Sequence, residues 1–353
     1  MKNLDAILEP ICRQNDLPAL AGAIVTSHGL IAEGAVGVRA YGGAAAVTIN
    51  DQFHLGSDTK AMTATLIGIL VDRGKLRWNE TLAEALPQLA TVMQPAYRRV
   101  TLDELMAHRA GFSAETSLVG KNLMQLHRLG GTGQDQLDTY VRLLLQEPPV
   151  NVPGTAYLYS NRSFAVAGCI AAYWAHIPYE QLMRQWLFKP LGMTTAGFGA
   201  MGTPGRVDEP LQHIIRNGKH IPVPPGPYAD NPVCIAPAGL VHCSIGDWAK
   251  FIQLELRGAE GKNGIISSAS VRHLQTPVEG GNYSGGWLTA FRPWGAGAVL
   301  THAGSNTMNF AVVWIAPKKD FAVLAATNQG GDAAATACDQ TSAALIGMTE
   351  GAH

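Results

Sequence analysis

The placement of the strand-forming runs restricts this chain's fold more than any other feature, because they lie at its two ends. Leu20 to Thr26 and Leu30 to Val38 are apolar runs joined by a tight turn at Ser27, His28 and Gly29, the pattern of a hairpin. Near the carboxyl end, Ala298 to His302, Asn309 to Ile315 and Phe321 to Ala326 are short β-rich runs. The last two are separated by the polar turn Ala316, Pro317, Lys318, Lys319 and Asp320. One antiparallel sheet built from both ends is the economical arrangement. Between the ends the period changes. Thr59 to Arg73, Leu102 to His108, Gln136 to Gln146, Ser163 to Trp174 and Tyr179 to Phe188 carry helical spacing, and Ile245 to Arg257 is a further helix after the return to the sheet.

The fold class expected is therefore α+β: an antiparallel sheet from both chain ends, flanked by helices, interrupted by a mainly helical region. The expected division is a discontinuous sheet domain of residues 1–65 and 235–353 around a helical domain of residues 66–234. The segment Gly199 to Pro237, rich in glycine and proline, reads as a long loop that is either a substrate-facing rim or plain surface.

Composition narrows the class of function. At 353 residues, with 47% hydrophobic and 15% charged side chains, the chain buries a large core. Its 26 basic and 27 acidic residues leave a net charge of -1, which gives no field to attract nucleic acid or an anionic membrane. The partner expected is a small molecule. Asp5, Glu9 and Pro10 interrupt the amino terminus where a secretory signal needs an apolar run, and no stretch approaches the roughly 20 apolar residues of a membrane span. Five cysteines (Cys12, Cys169, Cys234, Cys243, Cys338), an odd number without a C-x-x-C pair, suit a reducing compartment, so a cytoplasmic location is the expectation.

Three short motifs could carry chemistry, each with a plainer reading beside it. Ser57-Asp58-Thr59-Lys60 stands at the entry to the apolar helix through Met62, Leu66, Ile69 and Leu70, and a spacing of three places Ser57 and Lys60 on one helical face. A lysine desolvated in a pocket can help take a serine's proton, and a helix start favours a developing oxyanion. A serine before a helix is most often only a cap. Tyr159-Ser160-Asn161 follows the Pro153-Gly154 turn and precedes a helix; the tyrosine could pack, or could shuttle a proton beside Lys60. His302-Ala303-Gly304-Ser305 ends a β run, where glycine admits a close approach to the strand backbone and a lone histidine is commonly structural.

In combination, the order and spacing of the three resemble the penicillin-recognising serine hydrolases, the superfamily of class C β-lactamases and DD-peptidases that includes β-lactamase-like esterases. FHLGSDTKAMTATLIGILVDRGKL looks like the nucleophile helix of that family and YSNRSFAVAGCI like its tyrosine segment. VTLDELMAHRAGF, PLGMTTAGF, PAGLVHCSIGDWAKF and HAGSNTMNF extend the likeness from about residue 15 to residue 330. The resemblance implies the serine β-lactamase-like fold, no cofactor and no metal. It implies that Ser57 is acylated, that Lys60 and Tyr159 handle the protons, and that Asn161, His302, Gly304 and Ser305 contact substrate, with the amides of Ser57 and Ser305 as an oxyanion hole. Lys60 and Tyr159 both stay open as the base.

One position departs from the lactamase pattern. His302 stands where β-lactamases place the lysine of K-T-G that grips a carboxylate, and an imidazole is mostly neutral at pH 7. The leading expectation is accordingly hydrolysis of a small ester or amide, with hydrolysis and acyl transfer sharing one intermediate. A β-lactamase or D-amino-acid peptidase is the alternative, and a catalytically silent binding or scaffold protein the alternative of another class. No S-D-N motif is present. His108, Asp103 and Glu104 read as structural, and the spacing of Cys234, His242 and Cys243 does not match a closed zinc site.

Overall fold

The computed structural model describes residues 2–350. Its main sheet has eight strands: β1 (Lys2–Asn3), β2 (Ala19–Thr26), β3 (Gly29–Gly37), β4 (Tyr283–Ser284), β5 (Trp287–Arg292), β6 (Gly297–Gly304), β7 (Phe310–Ala316) and β8 (Phe321–Thr327). The spatial order is β1-β3-β2-β8-β7-β6-β5-β4. The amino-terminal hairpin and the carboxyl-terminal strands thus join in one sheet through β2 and β8, with Ala21 opposite Ala326 and Ala23 opposite Leu324. All pairings are antiparallel except that of β1, a two-residue parallel edge. The α+β architecture with a sheet drawn from both ends is the one the sequence implies.

β2 and β8 read as unbroken apolar runs because both sheet faces are covered. Leu20 and Ile24 point to one face with Val323 and Ala325, where Leu4, Leu8, Ala334, Ala337 and Leu345 close a smaller core. Those residues belong to or border α1 (Asp5–Gln14) and the terminal helix Asp332–Glu350, two helices that the strand-centred reading of the ends does not anticipate. Ala21, Ala23, Val25, Leu324 and Ala326 point the other way, into the large core with Trp248, Phe251 and Ile252.

That larger core also holds α2 (Thr59–Asp72) and α3 (Asn161–Ala175), each buried around most of its circumference. A helix apolar on every side belongs at the centre of a large protein. The helices carrying the serine and tyrosine motifs are therefore rigid parts of the interior. Residue 65, where the first sheet-forming segment was expected to end, lies inside α2. Against α2 packs Gly286, where a Cβ, at φ +88°, would lie 2.6 Å from the Cα of Ala61. Beneath it sits α4 (Ile245–Ala259), whose Glu255 is 1% exposed and accepts 2.8 Å from Gln275 Nε2, with Thr65 and Trp287 beside it.

The Gly199 to Pro237 segment contains a hairpin, Gln212–Arg216 with Lys219–Val223, that its glycine and proline content conceals. Asn217 and Gly218, at φ 52° and 71°, make the two-residue turn whose left-handed backbone matches strand twist. Among the described residues all five cysteines are free and buried, and no helix is long and apolar enough to cross a membrane.

Candidate active site

Ser57 lies in a single helical turn, Gly56–Asp58, that runs directly into α2. It is half-buried, whereas Lys60 one turn on is fully enclosed. Lys60 Nζ stands 2.9 Å from Ser57 Oγ, 2.8 Å from Asn161 Oδ1 and 2.6 Å from the carbonyl of Ala238. Burial drives the Lys60 ammonium well below the ordinary lysine range, opposed by the carboxyl of Asp58. Asp58 is itself driven well up by burial, and neither of its oxygens has a hydrogen-bond partner in the protein. Burial thus disfavours the charged form of each group, while each partner's charge opposes that effect on the other.

Tyr159 comes from the loop entering α3 and lies with its ring 4.8 Å from Lys60 Nζ. Burial raises its phenol above the ordinary tyrosine value, and the adjacent Ser57 hydroxyl acts in the opposite direction. His108, at φ 56°, supports this loop: its Nδ1 accepts 3.2 Å from the Ser160 amide, and its ring packs against Tyr159 at 4.5 Å. Asn161 uses both ends of its amide inside the protein, the oxygen on Lys60 and Nδ2 on Thr116 Oγ1 at 3.1 Å. As it stands, Asn161 orients Lys60.

The third motif reaches the same place from β6. Gly304 abuts the Ser57 turn so closely that a Cβ there would press on the Leu55 carbonyl and lie 2.6 Å from the Ser57 amide. Its lack of a side chain admits the protein's own backbone. A Cβ on Gly56, at φ 51°, would in turn collide with the Ser305 amide. The amides of Ser57 and Ser305 are thus brought next to one another. Ser305 Oγ donates to the carbonyl of Asn309 at 2.6 Å and accepts from Thr307 N at 2.9 Å, which holds the turn after β6.

His302 is 7% exposed, with Nε2 3.0 Å from Tyr283 OH and Nδ1 3.9 Å from Asp58 Oδ1. Burial, with Lys60 adding to it, pushes its pKa down to about 3, so the imidazole is neutral at pH 7. Beyond it opens a cavity of about 480 Å³ lined by Tyr157, Tyr159, Tyr283, His302, Phe310 and Trp314 among others. Asp58 and Tyr283 are site neighbours that motif reading passes over. The first counts only as a spacer between Ser57 and Lys60, and the second lies outside every motif.

Comparison with known proteins places the chain in a family. A family model described as Beta-lactamase matches residues 4–347. The chain is 26% identical over 331 residues to a protein named Penicillin-binding protein 4 from Amycolatopsis lactamdurans, covering 90% of this chain and 82% of that protein. It is 24% identical over 290 residues to a Beta-lactamase from Pseudomonas fluorescens, covering 80% and 73%. Among solved structures, an octameric penicillin-binding protein homologue from Pyrococcus abyssi superposes with a TM-score of 0.77 at 21% identity, over 98% of this chain and 77% of that one. SurE superposes with a TM-score of 0.78 at 19% identity, over 98% and 75%. The structural likenesses carry the fold, the family match extends over almost the whole length, and the chain belongs to the beta-lactamase family.

Proposed function

We propose that this protein is a serine hydrolase whose Ser57 is acylated by a small neutral ester or amide. The observation that carries the reading is the enclosed Lys60 amine 2.9 Å from Ser57 Oγ. A neutral amine has two N–H bonds and one lone pair. Asn161 Oδ1 and the Ala238 carbonyl accept the two N–H bonds, which leaves the lone pair for the serine proton. Lys60 is then the base that activates Ser57. Tyr159, kept protonated by burial, gives its proton to the departing alcohol or amine and regains one through the Ser57–Lys60 contact. The Ser57 and Ser305 amides receive the oxyanion, with the helix start of α2 adding partial positive charge. Attack by water on the acyl-enzyme returns Ser57.

Neutral His302 supports the substrate class. A carboxylate arriving there meets an imidazole already paired with Tyr283 and no cation, so carboxylate-bearing lactams and peptides lose a contact that esters do not need. The names of the relatives favour a second reading, acylation by penicillins or D-amino-acid peptides. Intact-protein mass after exposure to p-nitrophenyl butyrate and, separately, to benzylpenicillin distinguishes the two. The expected result is a transient butyryl adduct with release of nitrophenol, absent in Ser57→Ala, and a weak or absent penicilloyl adduct. A stable or rapidly turned-over penicilloyl adduct supports the second reading. Modification by neither reagent removes the support for hydrolysis and favours a silent scaffold.

A further inference from the structure

Outside the catalytic set lies a buried carboxylate that touches both halves of the oxyanion pocket. Asp230, in the segment after the Gln212–Val223 hairpin, has a side chain 7% exposed. Its Oδ2 accepts from His54 Nε2 at 2.7 Å, and its Oδ1 accepts from Asn306 Nδ2 at 3.0 Å and from Asn231 N at 2.7 Å. His54 Nδ1 accepts the Gly56 amide at 3.1 Å, so the imidazole proton sits on Nε2 and is donated to Asp230. One arm of this network ends on the residue before Ser57, the other on the residue after Ser305. The Asn306 arm is further fixed from behind: Gln212 Oε1 accepts from Asn306 Nδ2 and Asn309 Nδ2, each at 2.6 Å.

We propose that Asp230 is a positioning residue that holds the Ser57 and Ser305 amides in register for the oxyanion, acting through His54 on one and Asn306 on the other. The proposal rests on the serine hydrolase reading. Its physical basis is that the two amides belong to segments almost 250 residues apart. Donors around an oxyanion are effective only when placed in advance. Close packing of Gly56 and Gly304 sets how near the two segments lie. It leaves each turn free to tilt about that contact, whereas hydrogen bonds from one carboxylate to both segments remove the tilt. A buried carboxylate with three donors around it also keeps a defined geometry, since moving any partner exposes an uncompensated charge.

The test uses the full chain with p-nitrophenyl butyrate as substrate and phenylboronic acid as a probe, whose tetrahedral Ser57 adduct places an oxygen in the oxyanion pocket. Asp230→Asn keeps the shape but turns an N–H toward a donor. It is expected to lower kcat by about 30-fold, less than the hundredfold or more seen when an oxyanion donor is deleted. KM should stay within about threefold and boronate affinity should fall in step with kcat. Asn306→Ser cuts only one arm and should give a smaller fall of the same kind. Combining the two should cost no more than Asp230→Asn alone, because they act through one network. Asp247→Asn, a buried carboxylate that holds Thr195 outside this network, measures what loss of stability alone does to kcat. Unchanged kcat and boronate affinity in Asp230→Asn, additive losses in the double variant, or a kcat loss matched by Asp247→Asn at equal Tm would overturn the proposal. Failure of the native chain to form any Ser57 adduct defeats the hydrolase reading itself, which separates the two failures.

Discussion

Glu255 offers a quantitative check on the interior beneath α2. Burial raises its pKa to about 7, partly offset by the hydrogen bond from Gln275 and the nearby polar groups of Trp287 and Thr65. The ordinary glutamate value near 4.3 applies to the unfolded chain. Below that value both states are protonated and the carboxyl does not affect the folding balance. As pH rises, the unfolded chain ionises first while the native state still binds a proton, so stability falls until the native pKa is passed. Between pH 5 and pH 8 this costs the native protein about 2.5 kcal/mol. Glu255→Gln does not ionise and escapes the loss, while it preserves the shape and the polar contacts. The melting temperature of the variant relative to the native protein should therefore rise by about 3 °C between pH 5 and pH 8. Thermal scans by circular dichroism at matched rates across that range measure the difference. Parallel curves for the two proteins would refute the reasoning, since they would mean that Glu255 ionises in the fold as it does in water.

Lys60→Met should keep the fold, because an apolar side chain replaces one whose charge is already disfavoured. It should reduce butyryl-adduct formation by about a thousandfold, read by stopped-flow release of nitrophenol. Gly304→Ala should displace the nucleophile turn, since Leu55 O and Ser57 N occupy the space of its methyl; activity near the native value would show that the strand and turn separate easily. His302→Lys should raise kcat/KM for a carboxylate-bearing lactam such as nitrocefin relative to p-nitrophenyl butyrate by about tenfold, the size of one charge-assisted contact. In the native protein that ratio should stay flat from pH 5 to pH 8, because the His302 pKa lies at about 3; a step near pH 6.5 would place the imidazole in contact with water.

Legibility in the sequence followed how local each signal was. Ser57 and Lys60 were readable because three residues along a helix fix a shared face, and the strands because apolar runs at both ends have few ways to be covered. Tyr159 and His302 gained meaning only from their order relative to Ser57. Asn161 is legible as a neighbour of the motif, but its partners, Lys60 and Thr116, are tertiary, so no spacing rule reveals that its amide oxygen meets the Lys60 amine. Asp58 gave no sign that it faces inward, because a residue between two motif positions can point either way. His54 and Asp230 meet across 176 residues, and no spacing rule reaches that far. The hairpin at Gln212–Val223 was available in the Asn217-Gly218 pair but masked by the surrounding prolines. The terminal helices were hidden by the alanine-rich composition of one and by Pro10 within the other.

The junction of β2 with β8 also governs how such a chain reaches its native state. Thr327 Oγ1 donates to the carbonyl of Ala19 across 308 residues, so the middle of the sheet closes only after the last strands have been synthesised. Until then Leu20, Ile24 and their neighbours form a two-stranded hairpin whose inner edge is open and apolar on both faces. Pairings this remote make folding slow, and an unfilled edge is where another copy can add a strand. Variants that weaken β8 should accordingly be noticed first as lost soluble yield during expression at high temperature, before any purified protein shows a changed turnover.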